Sequence, residues 1–74
     1  MAEIKYEIVE SLGVISESNK GWTKELNLVA WNNYAPKYDI REWDPDHEKM
    51  GKGLTFTKDE MIELKRLFDK LDLE

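Results

Sequence analysis

Seventy-four residues carry 11 lysines and arginines, 16 aspartates and glutamates and one histidine, for a net charge of −5. A chain this short forms one domain, residues 1–74, and its small core favours oligomerisation where disulfides and metals give no support. The lack of cysteine excludes disulfides, thiolate metal sites and cysteine nucleophiles, and a single histidine cannot build a multi-histidine centre.

Ile4 to Ser16 reads as a first strand or strand pair. Tyr6, Ile8, Leu12 and Val14 share one parity, Val9 and Ile15 the other, and Gly13 is placed to bend the strand. Ser18-Asn19-Lys20-Gly21 is turn chemistry, because asparagine and glycine tolerate positive φ. A second strand, Trp22 to Trp31, puts Leu26, Leu28 and Ala30 on one face and Thr23, Glu25, Asn27, Val29 and Trp31 on the other. Asn32 to Pro36 forms the next turn. The third strand, Lys37 to Trp43, aligns Asp39, Arg41 and Trp43 on one face and Tyr38, Ile40 and Glu42 on the other. A charged loop follows, closed by Gly51, and then a fourth strand, Lys52 to Phe56.

Thr57 and Glu60, three apart before an apolar run, form a capping-box signature. The helix they open is predicted over Lys58 to Leu71. Met61, Leu64, Phe68 and Leu71 form its stripe, flanked by Leu67 and Ile62. Burial of such side chains contributes about 1.5–3 kcal/mol each. One sheet face does not need the whole stripe, so Met61, Leu64, Leu67, Phe68 and Leu71 are expected to serve both the core and a partner subunit. The layout is α+β: a four-stranded curved antiparallel sheet followed by one C-terminal helix, ββββα, as a homodimer.

The acidic excess is uneven. Residues 1–17 carry one lysine and four glutamates, net −3; residues 18–56 carry six basic and six acidic groups, net 0; residues 57–74 carry four basic and six acidic groups, net −2. The middle strands are thus the least acidic part. There Trp22, Trp31, Trp43, Tyr34 and Tyr38 interleave with Lys20, Lys24, Lys37, Arg41, Lys49 and Lys52. Unpaired bases need flat apolar platforms and their phosphates need nearby cations, so this mixture suits a single strand. Asp39 and Arg41 are poor core residues, which puts Trp43, their parity mate, on the binding face and Ile40 in the core. Trp22 and Trp31 have opposite parity, and which of them faces nucleic acid stays open. Lys24 and Lys37 are candidates by charge alone.

His47, among Asp44, Asp46 and Glu48, matches no metal-binding motif and reads as part of a solvated loop. No Ser-His-Asp order, glycine-rich phosphate loop or HExxH occurs, so no catalytic or metal residues and no cofactor are assigned. No apolar run reaches the length of a membrane span, and residues 1–20 lack signal-peptide character, so the protein is expected in the cytoplasm, nucleoid-associated at most.

Asp39-Ile40-Arg41-Glu42 followed by an aromatic, Asp44-Pro45, Lys52-Gly53-Leu54-Thr55-Phe56, and Asp59-Glu60-Met61 leading to Leu64-Lys65 occur in this order over about half the chain. In series they resemble the positive-cofactor-four family of transcriptional coactivators, and most closely its small bacterial members, which bind single-stranded DNA. The resemblance implies a dimer whose sheet surface binds unpaired nucleic acid, with Arg41 and Lys52 on that surface. Trp43 matches the aromatic step after Glu42, although longer members place two aromatics there and this chain places Asp44 second. The expected function is single-stranded-DNA binding with little sequence preference, in transcription regulation or DNA repair. Single-stranded RNA on the same surface and a dimeric protein-interaction module are the alternatives.

Overall fold

The structure, a computed structural model, describes residues 5–73. Four strands, β1 (Tyr6–Glu17), β2 (Thr23–Trp31), β3 (Lys37–Trp43) and β4 (Met50–Phe56), precede one helix, α1 (Lys58–Phe68). The strands form one antiparallel sheet in the order β1-β2-β3-β4. The ββββα layout expected from the sequence is therefore present, with β3 in its expected bounds. The expected start of the first strand, Ile4, lies outside the described residues.

Local chemistry sets the connections. In the first hairpin Ser18 donates its amide to the Trp22 carbonyl (2.7 Å) and accepts from the Gly21 amide (3.0 Å). Gly21 stands at φ 84°, a conformation glycine adopts without penalty. In the second turn Asn32 holds φ 53° and its side chain accepts from the Lys5 amide at 3.1 Å. The capping box of α1 is complete: the Thr57 hydroxyl accepts from the Glu60 amide (3.2 Å), and the Glu60 carboxylate accepts from the Thr57 amide (2.8 Å). The helix ends at Phe68, three residues short of the expected Leu71. There the chain tightens into turns in which Lys70 donates to Leu67 and Leu71 to Phe68, both at 3.0 Å.

β1 carries the main irregularity. Its register against β2 slips between Ile8 and Glu10, between Ser11 and Gly13, and between Val14 and Ser16, each time leaving one extra residue on β1. The extra residues are Val9, Leu12 and Ile15. Each bulge breaks simple alternation, so the parity groups expected for this strand do not survive as faces. Bulges also add bend and twist.

The sheet coils strongly toward one face. Tyr6 pairs with Trp31 at one end of β2, while Trp43 pairs with Thr23 at the other. Those two ends lie on the order of 26 Å apart along an extended strand. Yet the Tyr6 and Trp43 rings are 5.2 Å apart, and the Tyr6 hydroxyl donates to the His47 carbonyl at 2.6 Å. Diagonal corners of the sheet meet over a concave inner face.

That inner face is the buried one. Glu25, Asn27 and Val29 of β2 and Asp39 and Trp43 of β3 are all buried. The outer face, with Leu26, Leu28, Ala30, Tyr38 and Ile40, is only half-buried, and Leu54 is exposed. Trp43, expected on an open face, is thus buried, while Ile40, expected in the core, is half-buried. Curvature decides it, because a coiled sheet encloses its concave side whatever the residues there. The expected core role of α1 is corrected as well. Met61 and Leu64 are half-buried, Ile62, Leu67, Phe68 and Leu71 are exposed, and no helix residue is buried within the chain. A single helix at the end of the sheet has too little opposing surface to cover its stripe.

Candidate nucleic-acid interface

The inner face is built around Arg41. Its guanidinium donates two hydrogen bonds of 2.7 Å to the two oxygens of Asp39, two positions back on β3. It lies 4.6 Å from the centre of the Trp31 ring and reaches the Gly51 carbonyl at 3.3 Å. The bidentate pair neutralises a carboxylate that has no exposure to solvent. This is how Asp39, a poor core residue in isolation, comes to be buried.

Gly53 makes the arrangement sterically feasible. A Cβ there would fall 2.4 Å from the Arg41 Cβ and 2.5 Å from the Ile40 carbonyl oxygen. Only glycine lets β4 approach β3 this closely beside the arginine. The glycine of the Lys52-Gly53 pair therefore serves close approach. Just before it, the β3–β4 register slips between Arg41 and Trp43, and exposed Lys52 lies in the bulged part of β4 opposite Glu42.

A second cluster lies toward the other end of β2. The Glu25 carboxylate, nearly enclosed, accepts from the Asn27 amide (3.0 Å) and the Thr23 hydroxyl, and pairs with His47 Nε2 at 2.8 Å. Burial pushes the Glu25 carboxyl upward, but hydrogen bonds from Asn27, Thr23 and His47, with the charge of His47, outweigh it and hold the group below its usual value. His47 is positioned by its loop. Asp44 accepts amide hydrogen bonds from Glu48 (2.8 Å) and Lys49 (3.0 Å), and His47 adopts φ 57°. The imidazole stacks on Trp43 with ring centres 5.6 Å apart. His47 is thus half-buried and paired, correcting the solvated-loop expectation.

The expected binding residues do not all converge. Arg41, Trp31, Trp43 and Lys37 share the inner face by register, but Lys24 pairs with Glu42 on the outer face. Trp22 precedes β2 as a half-buried hairpin residue, so its strand parity has no meaning. Trp43 is 0% exposed and in this conformation cannot receive a base, a correction to its expected role as an open platform. It forms the floor beneath Tyr6 and His47. Trp31 is half-buried and Lys37 exposed, while Tyr34, in the β2–β3 turn, is 74% exposed.

Sequence reasoning missed Tyr6, Asn27 and Glu25 as members of the inner face. The one available signal was that Glu25, Asn27 and Trp31 share a parity ill-suited to an apolar core. Among the described residues, the Nε1 atoms of Trp31 and Trp43 and Oδ1 of Asn27 are buried without a hydrogen-bond partner. Burial without a partner costs about 1–3 kcal/mol per group, so this face is a poor design for a passive core.

A coiled four-stranded antiparallel sheet, lined inside by arginine, indoles and amide groups and followed by one capped helix, defines a small ββββα domain with a polar-aromatic concave face. The chain belongs to the family described as Transcriptional Coactivator p15 (PC4), whose model matches residues 18–67. This is a nucleic-acid-binding, coactivator-like, non-enzymatic family. The chain is also similar to an uncharacterized protein of Treponema pallidum (strain Nichols), 42% identical over 72 residues, covering 97% of this chain and 85% of the relative. Among the described residues, no helix is long and apolar enough to cross a membrane.

Proposed function

We propose that this protein is a homodimeric single-stranded-DNA-binding protein with little sequence preference, acting in the cytoplasm in transcription regulation or DNA repair. The observation that carries the reading is the composition of the concave face in a chain of this family: a guanidinium held over the half-buried Trp31 indole, on a polar and aromatic face. Bases offer π-faces to Trp31 and Tyr34, and phosphates are drawn to the exposed Lys37 and Lys52 along the rim. The exposed apolar residues of α1 and of the turn after it support the dimer, because Leu67, Phe68 and Leu71 gain burial only from another surface.

Titration of the intrinsic tryptophan fluorescence with oligo-dT, against a duplex of equal length, tests the reading. Binding is expected for the single strand, with log affinity falling against log salt by about 0.7 per phosphate neutralised. No response to oligo-dT, or an affinity flat in salt, sinks it in favour of the protein-interaction module, and an equal response to duplex removes the preference for unpaired strands. An oligo-U arm decides between DNA and RNA, which differ at the 2′-hydroxyl.

A further inference from the structure

We propose that the free edge of β1 is a docking site for a cationic amphipathic helix of a partner protein. Among the described residues β1 is an edge strand, hydrogen-bonded to β2 alone. From Val9 to Glu17 every residue is exposed, including the four apolar residues Val9 (48%), Leu12 (41%), Val14 (61%) and Ile15 (56%). Val9, Leu12 and Ile15 are the three bulge residues, so the row follows from the irregularity that bends the strand.

Charge selects the occupant. Tyr6–Glu17 contains Glu7, Glu10 and Glu17 and no lysine or arginine. By register Glu7 and Glu10 lie on the outer face, opposite Ala30 and Leu28, and Glu17 on the inner face, opposite Thr23. Carboxylates thus stand on both faces of the strand that carries the exposed apolar residues. Within this strand a phosphate backbone meets carboxylates and no cation. A second copy fares no better, because its β1 brings the same three glutamates and no cation to the contact.

Backbone geometry selects the mode. Three bulges in twelve residues interrupt the regular line of amides and carbonyls that strand addition needs. The partner must then bind through side chains, as an amphipathic helix does. A helix of about 14 residues is roughly 21 Å long. It covers the row from Val9 to Ile15, which spans at most about 20 Å. Lysines or arginines flanking its apolar stripe meet the glutamates. This surface lies on the edge opposite β4 and does not depend on the nucleic-acid reading.

The test uses the full-length protein, labelled for amide NMR. The probes are a synthetic leucine–lysine amphipathic peptide of about 14 residues, roughly four helical turns, and a leucine–glutamate counterpart. The lysine peptide is expected to shift amides of β1 and the facing part of β2, with an affinity that falls with salt. Glu7→Lys with Glu10→Lys should weaken it roughly three- to tenfold, the worth of two exposed ion pairs, and Leu12→Ser should weaken it independently of salt. The dispersion of the amide spectrum reports folding of each variant, and oligo-dT binding, measured on the same variants, fails or survives separately from peptide binding. The proposal is overturned if the peptide shifts map to α1, if both peptides bind equally, if oligo-dT displaces the peptide, or if the β1 amides move on dilution of the protein alone, which marks a second copy as the occupant.

Discussion

The Arg41 guanidinium grips both oxygens of Asp39 from two positions along the same strand, at 2.7 Å each. Side chains spaced by two on a strand lie on one face, so alternation alone brings the pair together. What alternation does not supply is the enclosure, which leaves Asp39 with no solvent exposure and makes the ion pair a structural element. Removing one partner then strands a buried charge. Arg41→Ala is expected to cost about 3–5 kcal/mol of stability, and Asp39→Asn combined with it should recover part of the loss. Urea unfolding of the single and double variants checks this; a single variant as stable as wild type means Asp39 is solvated in solution.

Gly53 is expected to tolerate no side chain. Gly53→Ala places a methyl group against the Arg41 Cβ and the Ile40 carbonyl, and relief by backbone shift costs about 1–3 kcal/mol. The same shift should loosen the Arg41–Trp31 stack, visible as a change in tryptophan emission. Unchanged stability with unchanged emission contradicts the close approach of β3 and β4.

Trp43 should behave as a core residue. Trp43→Ala is expected to destabilise the fold by about 3–5 kcal/mol. Tyr34→Ala, at an exposed turn position, should leave stability within about 0.5 kcal/mol of wild type and weaken oligo-dT by about 1–3 kcal/mol if a base stacks there. If Trp43→Ala folds normally, the coiled inner face is not the solution structure.

Closure of the sheet's diagonal can be tested by one oxygen. Tyr6→Phe keeps the ring against Trp31 and Trp43 but deletes the hydrogen bond to the His47 carbonyl, for an expected loss of about 0.5–1.5 kcal/mol. Amide exchange of the 44–49 loop should quicken at the same time. Unaltered exchange there places Tyr6 away from the loop.

Glu25 sets a pH dependence. Its carboxyl is held below the ordinary value of 4.5 in the folded chain. The folded state therefore binds this proton less readily than the unfolded chain, and the contribution to stability is full above about pH 4.5 and lost as pH falls through the lower folded value. Glu25→Gln should remove this part of the acid limb in melting temperature measured against pH, leaving the neutral region flatter relative to it. An acid limb identical to wild type excludes Glu25 as its source.

How much of this was legible in the sequence follows from the range of each interaction. The order of elements, the bounds of β3, the turn at Ser18–Gly21 and the Thr57–Glu60 cap are decided by residues a few positions apart, and the chain alone determines them. So does the grouping of Asp39, Arg41 and Trp43 on one face. Which face closes on itself is not local. It follows from the sense of sheet curvature and from three bulges in β1, and through them Tyr6 of the first strand reaches Trp43 and the His47 loop. Alternation tells two faces apart but cannot say which is concave. Tertiary structure therefore decided that the polar, aromatic face is enclosed, that Gly53 is needed where Arg41 passes, and that the apolar stripe of α1 is left uncovered.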